Sequence, residues 1–72
     1  MNPPGSVLVI GCGLIGTSIA LALREHGVDV HLDDVSRSNL ELAVSRGAGS
    51  SEPLATPDLV VVAVPPSHVV AT

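Results

Sequence analysis

The hydrophobic residues of this chain fall into blocks whose period alternates between that of a strand and that of a helix. Residues 7–10, Val7-Leu8-Val9-Ile10, are an unbroken apolar run rich in branched side chains, which predicts a strand buried on both faces. Over 14–26 the apolar residues return at helical spacing, Ile15, Ile19 and Leu23 on one stripe and Gly16, Ala20 and Leu23 on an adjoining one, and Gly27 supplies the stop. Val28, Val30 and Leu32 then alternate with Asp29, His31 and Asp33, the period-two pattern of a second strand less deeply covered than the first. Ser36 is placed to cap a second helix, Ser38 and Glu41 offer an alternative capping box, and Leu40, Ala43 and Val44 form its inner stripe before Gly47. Residues 48–57 are mostly Gly, Ser, Pro and small side chains and predict a loop with room for a very short third strand. Residues 59–64 are again uninterruptedly apolar and predict a central strand, ended by Pro65 and Pro66 because proline cannot donate to a ladder. Ser67 is placed to cap a helix that the chain scarcely begins.

Strands alternating with helices predict an α/β fold with a parallel sheet. Right-handed crossovers that step in one direction put both helices on the same face of that sheet. The first and last strands are nevertheless apolar on both sides, so the opposite face needs a cover that this chain does not encode. The expectation is a β-α-β-α-β unit forming the N-terminal half of a doubly wound parallel sheet, truncated, or an assembly whose partner covers the bare face. Residues 1–5 are expected to be a disordered N-terminus and residues 6–72 a partial domain.

Composition narrows the range of functions. With 46% hydrophobic and 14% charged residues among 72, the chain is at most one small globular domain. It has no Phe, Tyr or Trp, which removes the stacking platforms that single-stranded nucleic acid needs. A net charge of −4 with only three basic residues argues against a phosphate-backbone partner. The single Cys12 has no disulfide or metal-ligand companion, which favours a reducing compartment. No secretory signal and no apolar run of about 18 residues is present. A cytoplasmic protein with a small-molecule ligand, away from membranes and nucleic acid, is therefore expected.

The chemistry lies in Gly11-Cys12-Gly13-Leu14-Ile15-Gly16, set between the first strand and the first helix. In such a turn Gly11 permits the sharp bend, Gly13 lets the backbone approach a pyrophosphate, and Gly16 lets helix and strand pack closely. The helix N-terminus then offers unpaired N–H groups and the positive end of its dipole to phosphate oxygens. Asp34 follows Gly16 by 18 residues, at the end of the second strand, where a carboxylate can accept hydrogen bonds from the adenosine ribose. Together these predict a Rossmann-type dinucleotide site that prefers NAD, with NADP as the alternative because Arg37 is close in sequence. Asp33 competes with Asp34 for the ribose role. Cys12 reads as a small buried filler, His26 as a residue of the helix C-terminus, and His31 as a solvent-facing strand residue. His68 follows the double proline, where it could face the cofactor. No catalytic group and no metal site is assigned, since Thr17, Ser18 and Ser67 lack a base at a recognisable spacing.

Residues 7–23, VLVIGCGLIGTSIALAL, resemble the opening of prephenate dehydrogenases, and 59–66, LVVVAVPP, resemble that family's fourth strand and its Ala-Val-Pro ending. Asp34 and the helix containing Leu40, Glu41, Leu42 and Ala43 extend the likeness through nearly the whole chain. The 3-hydroxyisobutyrate, 6-phosphogluconate and pyrroline-carboxylate enzymes share much of the pattern but often carry Met where this chain has Ile15. The resemblance implies NAD(P)-dependent oxidative decarboxylation of prephenate or arogenate in tyrosine biosynthesis, by a homodimeric parent protein. It transfers only cofactor positions: Gly11, Gly13, Leu14, Ile15, Gly16 and Asp34, with Val64, Pro65 and Pro66 beside the cofactor. The family's catalytic histidine and helical dimerisation domain have no counterpart here, so the 72 residues alone are expected to be inactive. A regulatory dinucleotide-sensing module and a non-binding scaffold are the readings from other functional classes.

Overall fold

A computed structural model of the chain describes residues 5–63; the predictions for Val64, Pro65, Pro66, Ser67 and His68 lie outside the described residues. Three strands and two helices follow one another as β1 (Ser6–Ile10), α1 (Leu14–Glu25), β2 (Asp29–Asp33), α2 (Arg37–Ser45) and β3 (Leu59–Val62). The sheet has the order β2-β1-β3 and is parallel throughout, with Val7 opposite Val30 and Leu59, and Val9 opposite Leu32 and Val61. The α/β expectation holds. The short third strand is a single parallel bridge of Ser50 to His31 on the outer edge of β2. Leu32 N–H donates to Ser50 O at 2.8 Å and Ser50 N–H to Val30 O at 3.0 Å.

Strand parity decides what is buried. Val7 and Val9 of β1 and Val30 and Leu32 of β2 point to one face, where Ala20 of α1 and Ala43 of α2 pack against them with Val28 and Ala48 to form the core. Small residues at the helix–sheet contact let the helices lie close. The buried residues of α1 are Gly16 and Ala20, whereas Ile15 is exposed and Ile19 only half-buried. Of the two predicted stripes the one built on glycine and alanine faces the sheet, because a branched side chain there would hold the helix off β1.

On the other face stand Leu8, Ile10, Val60 and Val62. Leu8 and Ile10 are half-buried, while Val60 is 46% and Val62 62% exposed. The expectation of a last strand covered on both sides is not met within the described residues. The physical reason is that α1 and α2 pack chiefly on β1 and β2, so that on their side of the sheet too Leu59 of β3 is 48% exposed and Val61 only half-buried. The segment between Ser50 and β3 contributes its Glu52 carbonyl to His31 on this side, and no helix. Its far end is anchored by Asp58, whose carboxylate accepts from the N–H groups of Gly5 (2.9 Å) and Ser6 (3.1 Å) while its own N–H donates to Ser6 O.

Candidate cofactor-binding site

Immediately beyond β1 the chain leaves the sheet through Gly11, at φ 105°, a region that favours glycine, and Gly11 N–H donates to Asp33 O at 2.8 Å. The turn is then folded back so tightly that a Cβ on Gly16 would stand 1.8 Å from the Gly11 carbonyl oxygen. Gly13 is the N-cap of α1. Its backbone is extended (φ −73°, ψ −165°), which other residues also adopt, and a Cβ there would meet nothing within 4 Å. The α1 N-terminus has no side-chain cap and no acid in its first turn. Free N–H groups and the positive helix end therefore face open space at Gly13, a cradle that fits the charge of a diphosphate. Leu14 and Ile15, 86% and 70% exposed, stand on the rim.

Asp34 follows β2 and reaches the same turn. Its Oδ2 accepts from Cys12 N–H at 2.5 Å and its Oδ1 from Ser36 N–H at 2.7 Å. The neighbouring Asp33 meets the glycine turn through its carbonyl, and its residue is exposed. Gly11, Gly13, Leu14, Ile15, Gly16 and Asp34 are thus brought together at the carboxyl ends of β1 and β2, where ligands bind in open α/β sheets.

The sequence profile of the family described as 3-hydroxyacyl-CoA dehydrogenase, NAD binding domain, matches residues 6–62. The chain belongs to this NAD-binding family. A curated relative, the probable prephenate dehydrogenase NovF of Streptomyces niveus, is 55% identical over 65 residues, 89% of this chain. The chain spans only 18% of that relative's length. No solved structure matches. The sequence is accordingly that of a prephenate dehydrogenase-like NAD-binding region with the fold of the first part of a Rossmann domain. No helix of the described residues is long and apolar enough to cross a membrane.

Other groups around the glycine turn have structural work. Cys12 is buried, and its Sγ lies 3.5 Å from Asp33 O. Burial, then the nearby Asp34 and Asp33 carboxylates, push its thiol pKa up, so it remains a protonated filler. Ser36 caps α2 as expected, accepting from Asn39 N–H at 3.3 Å. Arg37 opens α2 exposed, its Nε donating to Glu41 Oε1 at 3.5 Å. Thr17, considered in the sequence only as a nucleophile without a base, donates its hydroxyl to Cys12 O at 3.0 Å. The only signal that could have found it was a hydroxyl in the first turn of a helix whose N-cap is glycine.

His31 departs from its expected solvent-facing role. Its side chain is 13% exposed, Nδ1 lies 2.8 Å from Glu52 O and Nε2 lies 3.3 Å from Asp29 Oδ2. Two acceptors are best met by an imidazolium that donates from both nitrogens. The Glu52 carbonyl, against partial burial and aided by the Asp29 carboxylate, accordingly raises the pKa above its ordinary 6.5. A raised folded-state pKa gives stabilisation that is complete below the unfolded value of about 6.5 and is lost as pH rises through the folded value. Urea unfolding of wild type and His31→Gln is therefore expected to differ most below about pH 6.5 and progressively less as the pH is raised above it. A stability difference independent of pH would contradict this assignment.

Proposed function

We propose that this chain is the cofactor-binding opening of a cytoplasmic, homodimeric dehydrogenase that oxidatively decarboxylates prephenate, or arogenate, with NAD in tyrosine biosynthesis. The observation that carries the cofactor role is the uncapped N-terminus of α1 facing the unfilled space at Gly13. The 55% identity to a probable prephenate dehydrogenase supports the substrate class. In this reading the N–H groups of Gly13, Leu14, Ile15 and Gly16 hold the diphosphate, and Asp34 accepts from the adenosine ribose. Val64, Pro65 and Pro66, next after β3 in sequence, are carried over from the family resemblance as neighbours of the cofactor. NAD supplies the hydride acceptor. The groups that hold and deprotonate the substrate belong to the rest of the dehydrogenase, so these 72 residues alone are inactive.

The chain's residues bear on NAD against NADP. The Asp34 carboxylate would repel a 2′-phosphate, and the guanidinium of Arg37, the obvious counter-ion, is engaged with Glu41.

The test is turnover by the full-length dehydrogenase, followed as NADH absorbance with prephenate, arogenate and a 3-hydroxyacyl-CoA offered separately. NADH formation with prephenate or arogenate and none with the thioester is the expected result. Turnover of the thioester alone would move the protein to another branch of hydroxy-acid oxidation. NAD binding without turnover of any substrate would favour a sensing module.

A further inference from the structure

The turn that receives the diphosphate is held from two sides, at adjacent peptide groups. Cys12 N–H, in the peptide that joins it to Gly11, is taken by Asp34 Oδ2. Cys12 O, in the peptide that joins it to Gly13, is taken by the Thr17 hydroxyl at 3.0 Å. A trans peptide sends its N–H and C=O in opposite directions. Holding the Cys12 carbonyl toward α1 therefore turns the Gly13 N–H away from α1, and among the described residues that N–H has no protein acceptor. The first N–H groups of α1 are fixed by the helix itself, but the Gly13 N–H is not. Glycine resists rotation of the preceding peptide less than any other residue. A flipped peptide would present a carbonyl oxygen to the phosphates in place of a donor.

We propose that Thr17 is a positioning residue which, with Asp34 on the neighbouring peptide, locks the Cys12–Gly13 peptide so that the Gly13 amide is aimed at the cofactor diphosphate before it binds. The proposal rests on the cofactor reading above and adds to it a residue with no cofactor contact of its own. It also divides the labour of the turn: the Cys12 amide is structural, and the Gly13 amide is presented to ligand. One hydrogen bond has a net worth of about 0.5–1.5 kcal/mol, which corresponds to about a two- to tenfold change in affinity.

The test uses the full-length dehydrogenase and three probes: NAD, ADP, which retains the diphosphate, and adenosine, which lacks it. Thr17→Val keeps the branched shape and removes the hydroxyl, while Thr17→Ser keeps the hydroxyl. The expected result is a loss of about two- to tenfold for NAD and ADP in Thr17→Val, with adenosine unchanged and Thr17→Ser restored to near wild type. A Thr17→Val protein that binds NAD and ADP as wild type does would overturn the proposal. So would an equal loss for adenosine, which would mark a general disturbance of the site, or a Thr17→Ser protein as weak as Thr17→Val. If wild type itself binds neither NAD nor ADP, the cofactor reading fails first and is thereby told apart from failure of the clamp.

Discussion

Gly16→Ala is expected to damage the fold, and Gly13→Val to leave the fold intact while abolishing NAD binding. The two glycines sit three residues apart in one motif, yet their surroundings are opposite. A Cβ on Gly16 would stand 1.8 Å from the Gly11 carbonyl oxygen and 2.9 Å from its carbon, both of them backbone atoms that cannot rotate aside. Either α1 must move off the sheet or the turn must open, and the contact that buries Ala20 is lost with it. Overpacking of this kind costs about 1–3 kcal/mol and sometimes more, a large fraction of a domain's roughly 5–15 kcal/mol. Urea unfolding should report a lowered midpoint, and NAD binding should fall as a consequence.

At Gly13 the backbone is already in an extended conformation open to any residue, and nothing lies within 4 Å of the added carbon. Valine there should therefore unfold at nearly the wild-type urea concentration. Its two methyl groups instead occupy the space in front of the α1 N-terminus, where the diphosphate must come within hydrogen-bonding distance of the amides. A loss of affinity on the order of a hundredfold or more follows if two such charge-assisted bonds are broken. Wild-type NAD affinity in Gly13→Val would remove the diphosphate from this crevice, and a collapsed urea midpoint would remove the distinction between the two glycines.

The strands and helices were legible because each is written in a period. Val7 to Ile10 and the alternation of Val28, Val30 and Leu32 with polar residues leave little choice of element. Which face of α1 turns inward was not decided by hydrophobicity, since Ile15 and Ile19 outweigh Gly16 and Ala20 on any apolar scale. It was decided by distance, because a helix that follows β1 after three residues must lie against the strand that precedes it. For β3 the apolar run announces two covered faces, and among the described residues both stay partly open, at Leu59 on one side and at Val60 and Val62 on the other; the pattern records a requirement rather than a contact. His31 was misread for a different reason. Its partner is the carbonyl of Glu52, and main-chain acceptors brought in by a loop leave no mark on side-chain patterning. The same holds at the candidate site, where the spacing singled out Gly11, Gly13, Gly16 and Asp34, but the bonds of Asp34 to Cys12 and Ser36 and of Thr17 to Cys12 run to backbone atoms that every sequence possesses.

Asp34→Ala is expected to weaken NAD by about ten- to hundredfold, the range for losing hydrogen bonds to a charged group, and to weaken NADP by less. Three contributions set that difference. Both cofactors lose the acceptor that holds Cys12 N–H, so both suffer from a loosened turn. NAD alone loses the acceptor for its ribose 2′-hydroxyl, the group that NADP carries phosphorylated. NADP alone gains, since the 2′-phosphate no longer meets a carboxylate of like charge, and the gain offsets part of its loss. Asp34→Asn separates the contributions, because it removes the charge while keeping the size. An amide side chain has one acceptor oxygen, whereas both Asp34 oxygens are occupied by main-chain N–H groups, so one of Cys12 and Ser36 must face an NH2 group. Asparagine should therefore relieve the repulsion of NADP without restoring the turn, and it should bind NAD nearly as poorly as alanine does. Titrations of both cofactors against wild type, Asp34→Ala and Asp34→Asn measure all three contributions. Equal losses for NAD and NADP in both variants would leave Asp34 as a strut of the glycine turn with no part in reading the ribose.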